Sequence, residues 1–570
     1  MPERSVRPDW IERPPPSESY RAIFKWGAPD RFYHPKPGLL GYIQARLQLG
    51  PDQWATPRAA GTQPVQSPRP GALTQEQVER LTAIVGAENA QRDDFSRLRY
   101  AHGQAAEEIL RLRAGQPAAA SDLVLHPRHH QDVQAIVQYC HAQRIPVTVF
   151  GGGSSVTLGV KPGRGGVTLA MRTHMHRVLA FNETNQTITV EPGILGPDYE
   201  AYLNHAPERC GARCRYTGGH FPQSFEFSTV GGWIATLGAG QQSSYYGDAC
   251  DLVVSQQYVT PVGDFTTADF PATATGPKVN DLLKGSEGAF GVLTAVTMKV
   301  FRHMPENRRR FAYMLPGWEQ AVRAAREISQ GEFGLPSMLR ISDPEESDAA
   351  LQMYGLGGPL VQRFLRLRGL LPMQRCLLIG QADGQKHFAA NIARQSGRTC
   401  RRLGGLWLSG YPARRWAHGR FLDPYMRDDL HDMGVLIDTL ETAVPWDRLP
   451  ALHAGVRAYI TARPCTICLT HASHFYSQGT NLYFIFITPM IAVEEYRAFQ
   501  GGIIAKILEH GGSLSHHHGA GKIMGPWMER HLGREQMAAL RALKRHFDPH
   551  NIMNPGGTLG LDGPPIHPLQ

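Results

Sequence analysis

Three glycine-rich segments, each opening from an apolar run of β character, constrain this chain of 570 residues more than any other feature. The first is Val147-Thr-Val-Phe150 leading into Gly151-Gly152-Gly153-Ser154-Ser155. The second is Gly218-Gly219-His220-Phe-Pro-Gln-Ser224, continuing through Ser228-Thr229-Val-Gly231-Gly232-Trp233. The third is Gly285-Ser-Glu287-Gly288-Ala-Phe-Gly291-Val292. None has Rossmann or P-loop spacing. Glycine permits positive φ and lets backbone N–H groups approach an anion with no Cβ between them. One such loop is usually only a turn. Three in this order can wrap a single long, pyrophosphate-bearing cofactor.

The length allows two or three domains with substantial cores. A hydrophobic share of 42% and a charged share of 19% are ordinary for a folded protein. There is no uninterrupted apolar run long enough for a membrane-spanning helix, and the start of the chain has no apolar h-region. The end lacks a peroxisomal Ser-Lys-Leu-type address, so a cytoplasmic location is expected. The net charge of +9 comes mainly from arginine. It reads as a scattered basic surface rather than a nucleic-acid site, with contact to anionic lipid as the alternative. Cys210 and Cys214, like Cys465 and Cys468, have spacings open to zinc or disulfides, but reduced thiols are expected. The second pair reads as part of a strand, which would turn its two cysteines to opposite sides.

Residues 1 to about 75 are proline-rich with short helical pieces, and Thr74–Arg113 has helical spacing. Leu123-Val-Leu, a helix over His130–Arg144 and Val147–Phe150 then give strand, helix, strand, which makes Gly151–Gly153 a strand-to-loop cradle. Strand-rich character continues to Val300. Beyond Arg302 the sequence alternates helices (Trp318–Ile328, Gln385–Arg402, Arg448–Thr461, Ala492–His510) with strands (Arg375–Gly380, Asn481–Ile487), the pattern of a cap domain.

The three loops together resemble the flavin-binding domain of the vanillyl-alcohol oxidase superfamily. The block Ser224–Thr236, Tyr246-Gly-Asp248, Glu441-Thr-Ala-Val-Pro-Trp446-Asp-Arg448 and Leu514–Lys522 narrow the resemblance to its alkylglycerone-phosphate synthase branch. The match runs from about Asp93 to Asn554. It implies an α+β fold: an N-terminal extension with helical segments (1–117), a two-subdomain PCMH-type FAD-binding domain (118–303), an α+β cap or substrate domain (304–500), a C-terminal segment returning to the FAD domain (501–560) and a tail (561–570). It also implies FAD on Gly151, Gly152, Gly153, Ser154 and Ser155 of the first loop. Gly219, His220, Ser224, Ser228, Thr229, Gly231 and Gly232 would hold it from the second, and Glu287, Gly288, Gly291 and Val292 from the third. The first loop lacks the histidine that tethers flavin in some members, so the FAD is expected to be non-covalent.

The family's reaction exchanges the acyl chain of an acyl-dihydroxyacetone phosphate for a fatty alcohol, with an electrophilic flavin and no net redox change. The chain would thus be an FAD-dependent transferase of ether-lipid synthesis with a lipid-like substrate. Peripheral membrane contact and a homodimer are compatible with that reading. Tyr483 and the run His516-His517-His518 match the family's acid/base groups, and His220 matches a position beside the flavin. Three consecutive histidines in the interior of a chain can exchange protons near neutral pH or ligate a metal.

The neighbouring D-2-hydroxyacid dehydrogenase branch typically places a metal-binding histidine where Tyr483 stands and a glutamate where His517 stands, which disfavours a metal here. The synthases' phosphate-binding arginine is missing near His471 and His474. Those two histidines could bind phosphate, or form a metal site with His517, while Arg340 retains another family arginine. The alternative function is an FAD-linked oxidoreductase acting on a 2-hydroxyacid or other alcohol.

Overall fold

The computed structural model describes residues 12–50, 58–353 and 358–562. Residues 1–11 and most of the expected tail, 563–570, lie outside them.

Leu123–Leu125, Val167–Ala170 and Val147–Phe150 form a parallel sheet in that spatial order, with Ala90–Gln91 antiparallel at one edge. Leu123, Leu125, Val147, Val167 and Leu169 are fully buried, the two-sided burial that continuous apolar strands require. The helix His130–Gln143 closes one face through Val133, Ile136, Val137 and Cys140, a single helical stripe. It ends at Arg144 in the left-handed region (φ 54°). The free edge of Val147 is completed from far along the chain. Its N–H donates to the Ile552 carbonyl (2.8 Å), and the Asn554 N–H donates to the Val147 carbonyl (2.8 Å).

A second, antiparallel sheet runs in the order Val178–Asn182, Thr187–Val190, Val292–Lys299, Val253–Thr260, Gly263–Thr266. The third and largest has seven antiparallel strands, ordered Leu406–Trp407, Arg309–Leu315, Cys376–Ala382, Met338–Ser342, Ile467–Ala472, Gly479–Pro489, Val435–Pro445. Its last two strands pair along their whole lengths, which sets Glu441 opposite Tyr483. One face is covered by Trp318–Ser329, Lys386–Arg402, Leu449–Ala462 and Val493–Glu509. The other carries Pro359–Leu367, Tyr411–Gly419, Asp423–Asp432 and the N-terminal helix Pro37–Leu47.

Several expectations need adjustment. The boundary drawn at residue 501 falls inside the helix Val493–Glu509, because Tyr496, Phe499, Ile503, Ile504 and Ile507 bury one continuous stripe. Only Cys468 lies in its strand. Cys465 sits in the preceding turn with φ 52°, and all eight cysteines are free thiols.

The N-terminal segment is also more than an extension. Arg21 and Arg113 both grip the fully buried Asp432 carboxylate, so residues from before the glycine loops are clamped to the cap. No helix of the described residues is long and apolar enough to cross a membrane.

Candidate active site

The first and second glycine loops interlock. A Cβ on Gly152 would stand 1.9 Å from the Phe227 carbonyl oxygen, and one on Gly151 would stand 2.5 Å from Thr229 Oγ1, so both positions need glycine. Beneath them runs a cavity lined by nine glycines, among them Gly153, Gly231, Gly232, Gly288 and Gly291. Ser154, Ser155, Ser224, Ser228 and Thr229 add hydroxyls, while Val149, Met171, Tyr258 and Leu293 add an apolar wall. Exposed backbone and hydroxyls at one end and apolar surface beside them suit a pyrophosphate joined to flat rings. The residues present fit FAD.

Glu287 fastens the third loop to the C-terminal segment. Its carboxylate accepts the N–H groups of Ala520 (2.8 Å) and Gly521 (2.9 Å), and Asn554 Nδ2 donates to its backbone carbonyl (2.7 Å). Burial pushes the Glu287 carboxyl above its usual range, against the pull of those N–H donors. Three expected positions stand outside the cavity wall. Gly219 (φ 70°) packs against the Tyr246 ring, Val292 is fully buried in the core around the first sheet, and His220 lies behind Trp233 at a ring distance of 4.6 Å. His220 is buried with neither ring nitrogen partnered, and burial followed by the nearby His474 holds it down at about 3.

At the other end the cavity meets the seven-stranded sheet, where Arg340, His471, Tyr483, His517 and His518 line it together. Strand register places the first three on one face: Ser342 pairs with His471, and His471 pairs with Tyr483, whose ring stacks on it at 4.8 Å. The Tyr483 hydroxyl donates to Thr439 Oγ1 (3.1 Å). Burial raises its pKa well above the ordinary 10, so it carries its proton at neutral pH.

Glu346 Oε1 accepts from Arg340 Nη2 (2.7 Å) and lies 3.0 Å from His471 Nδ1. Burial alone would raise Glu346, but Arg340 and His471 hold it at about 2. Burial and Arg340 together lower His471, which is therefore neutral, with Nδ1–H toward Glu346 and Nε2 left as an acceptor.

His516, His517 and His518 owe their position to Glu441, which reading the sequence did not single out although it opens the segment Glu441–Arg448. Its buried carboxylate accepts the N–H groups of His516 (2.7 Å), His517 (3.2 Å) and His518 (3.1 Å), and the Ser515 hydroxyl (2.5 Å). Burial works against its charge, yet His518, His516 and these donors keep its pKa below the ordinary value. The signal in the sequence was a pair of carboxylates, Asp438 and Glu441, within an otherwise largely apolar strand. Asp423 was missed as well. It lines the cavity, and burial raises it to about 6.

The ring contacts of these histidines form a directional chain. Burial lifts Tyr476 well above its usual range, so its hydroxyl donates to His516 Nε2 (2.7 Å). Burial, then neighbouring imidazoles, lowers both His516 and His517. Neutral His516 must then hold its proton on Nδ1, 3.1 Å from His517 Nδ1, and neutral His517 holds its own on Nε2.

His516 and His474 stay behind the cavity wall. Burial lowers His474 to about 4, and its Nε2 has no partner. His474, His516 and His517 each bring one ring nitrogen within 4.8 Å of the others, a set able to ligate a metal. His471, expected in such a set, is engaged by Glu346 instead.

Comparison with known proteins agrees with this architecture. The FAD binding domain family matches residues 121–269, and the family of FAD linked oxidases, C-terminal domain, matches residues 304–558. The chain is 31% identical to the alkyldihydroxyacetonephosphate synthase of Dictyostelium discoideum, with 91% of this chain and 87% of that protein covered. It is 29% identical to the synthase of Trypanosoma brucei brucei, with 86% and 81% covered. A solved structure of an alkyldihydroxyacetonephosphate synthase superposes with a TM-score of 0.79 at 27% identity, with 94% of this chain and 99% of that chain covered.

Proposed function

The chain belongs to the alkyldihydroxyacetonephosphate synthase family, and from that premise we propose that Tyr483, His517 and His518 move the protons of an acyl-for-alkoxy exchange. The enzyme is FAD-dependent and acts on a small lipid-like substrate. One observation carries the assignment of roles: Tyr483, His517, His518, Arg340 and His471 meet at the sheet end of the same cavity whose other end is the glycine cradle.

Bound FAD would supply an electrophile toward the substrate carbon. The protein's side chains do the rest. Tyr483 Oη, protonated and held by Thr439, serves as the acid. The Tyr476–His516–His517 chain orients the His517 imidazole with Nε2–H as its donor, and His518, outside that chain, is left to take up a proton. Arg340 receives the anionic headgroup, while His471 Nε2, an acceptor, takes a substrate hydroxyl, with Glu346 fixing both. Phosphate recognition rests on Arg340, because no further arginine stands where the synthases keep theirs. Contact with a membrane surface and self-association belong to the same proposal.

A second reading, an FAD-linked oxidoreductase acting on a 2-hydroxyacid or other alcohol, is favoured by the His474–His516–His517 cluster. One assay separates the two. Acyl-dihydroxyacetone phosphate and a fatty alcohol should yield an ether product with no electron acceptor consumed. Reduction of an artificial acceptor by D-lactate without ether product, abolished by a chelator, would replace the synthase roles with metal-assisted oxidation.

A further inference from the structure

Two residues of the N-terminal segment line the cofactor cavity, although both precede the matched FAD binding domain, which begins at residue 121. They are Trp26 and Gln104, and neither belongs to a glycine loop. Each carries a side-chain donor that meets no acceptor among the described residues.

Gln104 sits in a turn built to reach the first loop. Glu108 Oε2 accepts the N–H groups of Gly103 (3.1 Å) and Ala105 (3.3 Å), which closes the turn on one carboxylate. The Gln104 N–H between them donates to the Ser155 carbonyl (2.7 Å). The approach is so close that a Cβ on Gly103 would stand 2.5 Å from that same oxygen. Backbone contact therefore fixes Gln104 beside the end of Gly151–Ser155.

Its amide is oriented as well. Arg427, on the cap helix Asp423–Asp432, donates through Nη1 to the Gln104 carbonyl (3.3 Å) and through Nη2 to Oε1. With Oε1 on the guanidinium, the two Nε2 hydrogens turn away from it. Gln104 is only 6% exposed, and an amide buried that deeply costs free energy unless its donors are used.

Trp26 repeats the pattern. Its backbone N–H donates to Asp428 Oδ2 (3.0 Å), and its ring meets Phe227 edge-on at 5.8 Å, the residue whose carbonyl abuts Gly152. The indole is 5% exposed, and its Nε1–H has no partner among the described residues. Arg427 and Asp428, consecutive in one helix, thus hold Gln104 and Trp26 where the first two glycine loops meet.

Two buried donors at that seam require a ligand rich in acceptor oxygens, which the pyrophosphate and ribityl chain of FAD provide. An apolar substrate chain would leave both donors unsatisfied. We propose that Gln104 Nε2 and Trp26 Nε1 donate hydrogen bonds to bound FAD, with Arg427 as the residue that positions the amide. Binding of this kind holds for transfer and oxidation alike, because it involves the cofactor alone.

The experiment is release of FAD from the holoenzyme after dilution, followed as the rise in free-flavin fluorescence. In Gln104→Glu the carboxylate still meets Arg427, more tightly than the amide does, while both donors are lost. If Gln104 served only to tie the cap to the first loop, this variant would hold FAD at least as well as the wild type. As a ligand it should release FAD about tenfold faster or more. Trp26→Phe keeps the ring on Phe227 and deletes only the N–H, and release should rise about fivefold. Arg427→Met should speed release in the wild-type background and add little to Gln104→Met, since it acts through the amide. Far-ultraviolet circular dichroism should match the wild type in every variant. Release within about twofold of the wild type in Gln104→Glu or Trp26→Phe would overturn the proposal. So would additivity of Arg427→Met with Gln104→Met, or faster release that appears only together with lost ellipticity.

Discussion

Glu441 Oε2 accepts the backbone N–H of His516 at 2.7 Å, and through this contact a strand of the cap fixes the conformation of the histidine run. Because the other oxygen takes the next two N–H groups, the run is pinned by its backbone and its rings are left free for chemistry. Glu441→Gln would turn an amide N–H₂ or a single carbonyl toward donors that need an anion. Each donor left unpaired costs about 1–3 kcal/mol. A lower melting temperature is expected, with turnover down roughly a hundredfold through misplaced rings. Wild-type turnover in this variant would remove Glu441 from any positioning role.

Gly152 tests the cradle. Alanine there would thrust a Cβ into the Phe227 carbonyl, with backbone on both sides and nothing flexible to yield. Gly152→Ala should purify with little FAD, read as the ratio of flavin to protein absorbance. Wild-type protein should release its FAD to acid without proteolysis, and yellow colour retained on the denatured chain would contradict non-covalent binding.

Tyr483→Phe keeps the stacking on His471 and deletes only the hydroxyl. Turnover should fall on the order of a hundredfold or more while bound FAD is unchanged. Tyr476→Phe, one step back along the chain, should cost on the order of tenfold and shift the acid limb of the pH profile, since it changes only the tautomer preference of His516. Equal losses in the two variants would contradict this ordering.

The pH dependence of stability follows from buried neutral histidines. His102 and His474 are held at about 4 and His220 at about 3, chiefly by burial, against an ordinary 6.5. A depressed folded-state pKa means the unfolded chain binds more protons. Stability is then full above pH 6.5 and declines as pH falls through about 4 toward 3. Thermal melts across that window should show the decline. His474→Gln should flatten its slope by about one proton, and an unchanged slope would mean His474 is already charged in the fold.

Much of this was legible in the sequence because it follows period and chain punctuation. Val147–Phe150 reads as a buried strand and His130–Arg144 as its helix for local reasons; the strand stands as read, and the helix ends one residue earlier, at Gln143. What escaped depends on contacts distant in sequence. No local signal brings Glu441 to the histidine run, seventy-four residues from Ser515, or clamps Asp432 between Arg21 and Arg113. The boundary expected at residue 501 falls within a helix whose apolar stripe runs through it on both sides. His220 and His474 were read as exposed to chemistry, whereas packing behind Trp233 and the strand pair seals them from the cavity wall.

Among the described residues, the edge of Val147 is closed only by Ile552–Asn554, and the Glu287 carboxylate accepts only from Ala520 and Gly521. During synthesis both partners leave the ribosome hundreds of residues after the loops they complete. The emerging chain must therefore wait with an open strand edge and an unmet buried carboxylate until nearly all of it is available. Cofactor capture becomes a late event, and a ribosome stalled before residue 520 would hold a protein with every glycine loop made and no lasting grip on its flavin.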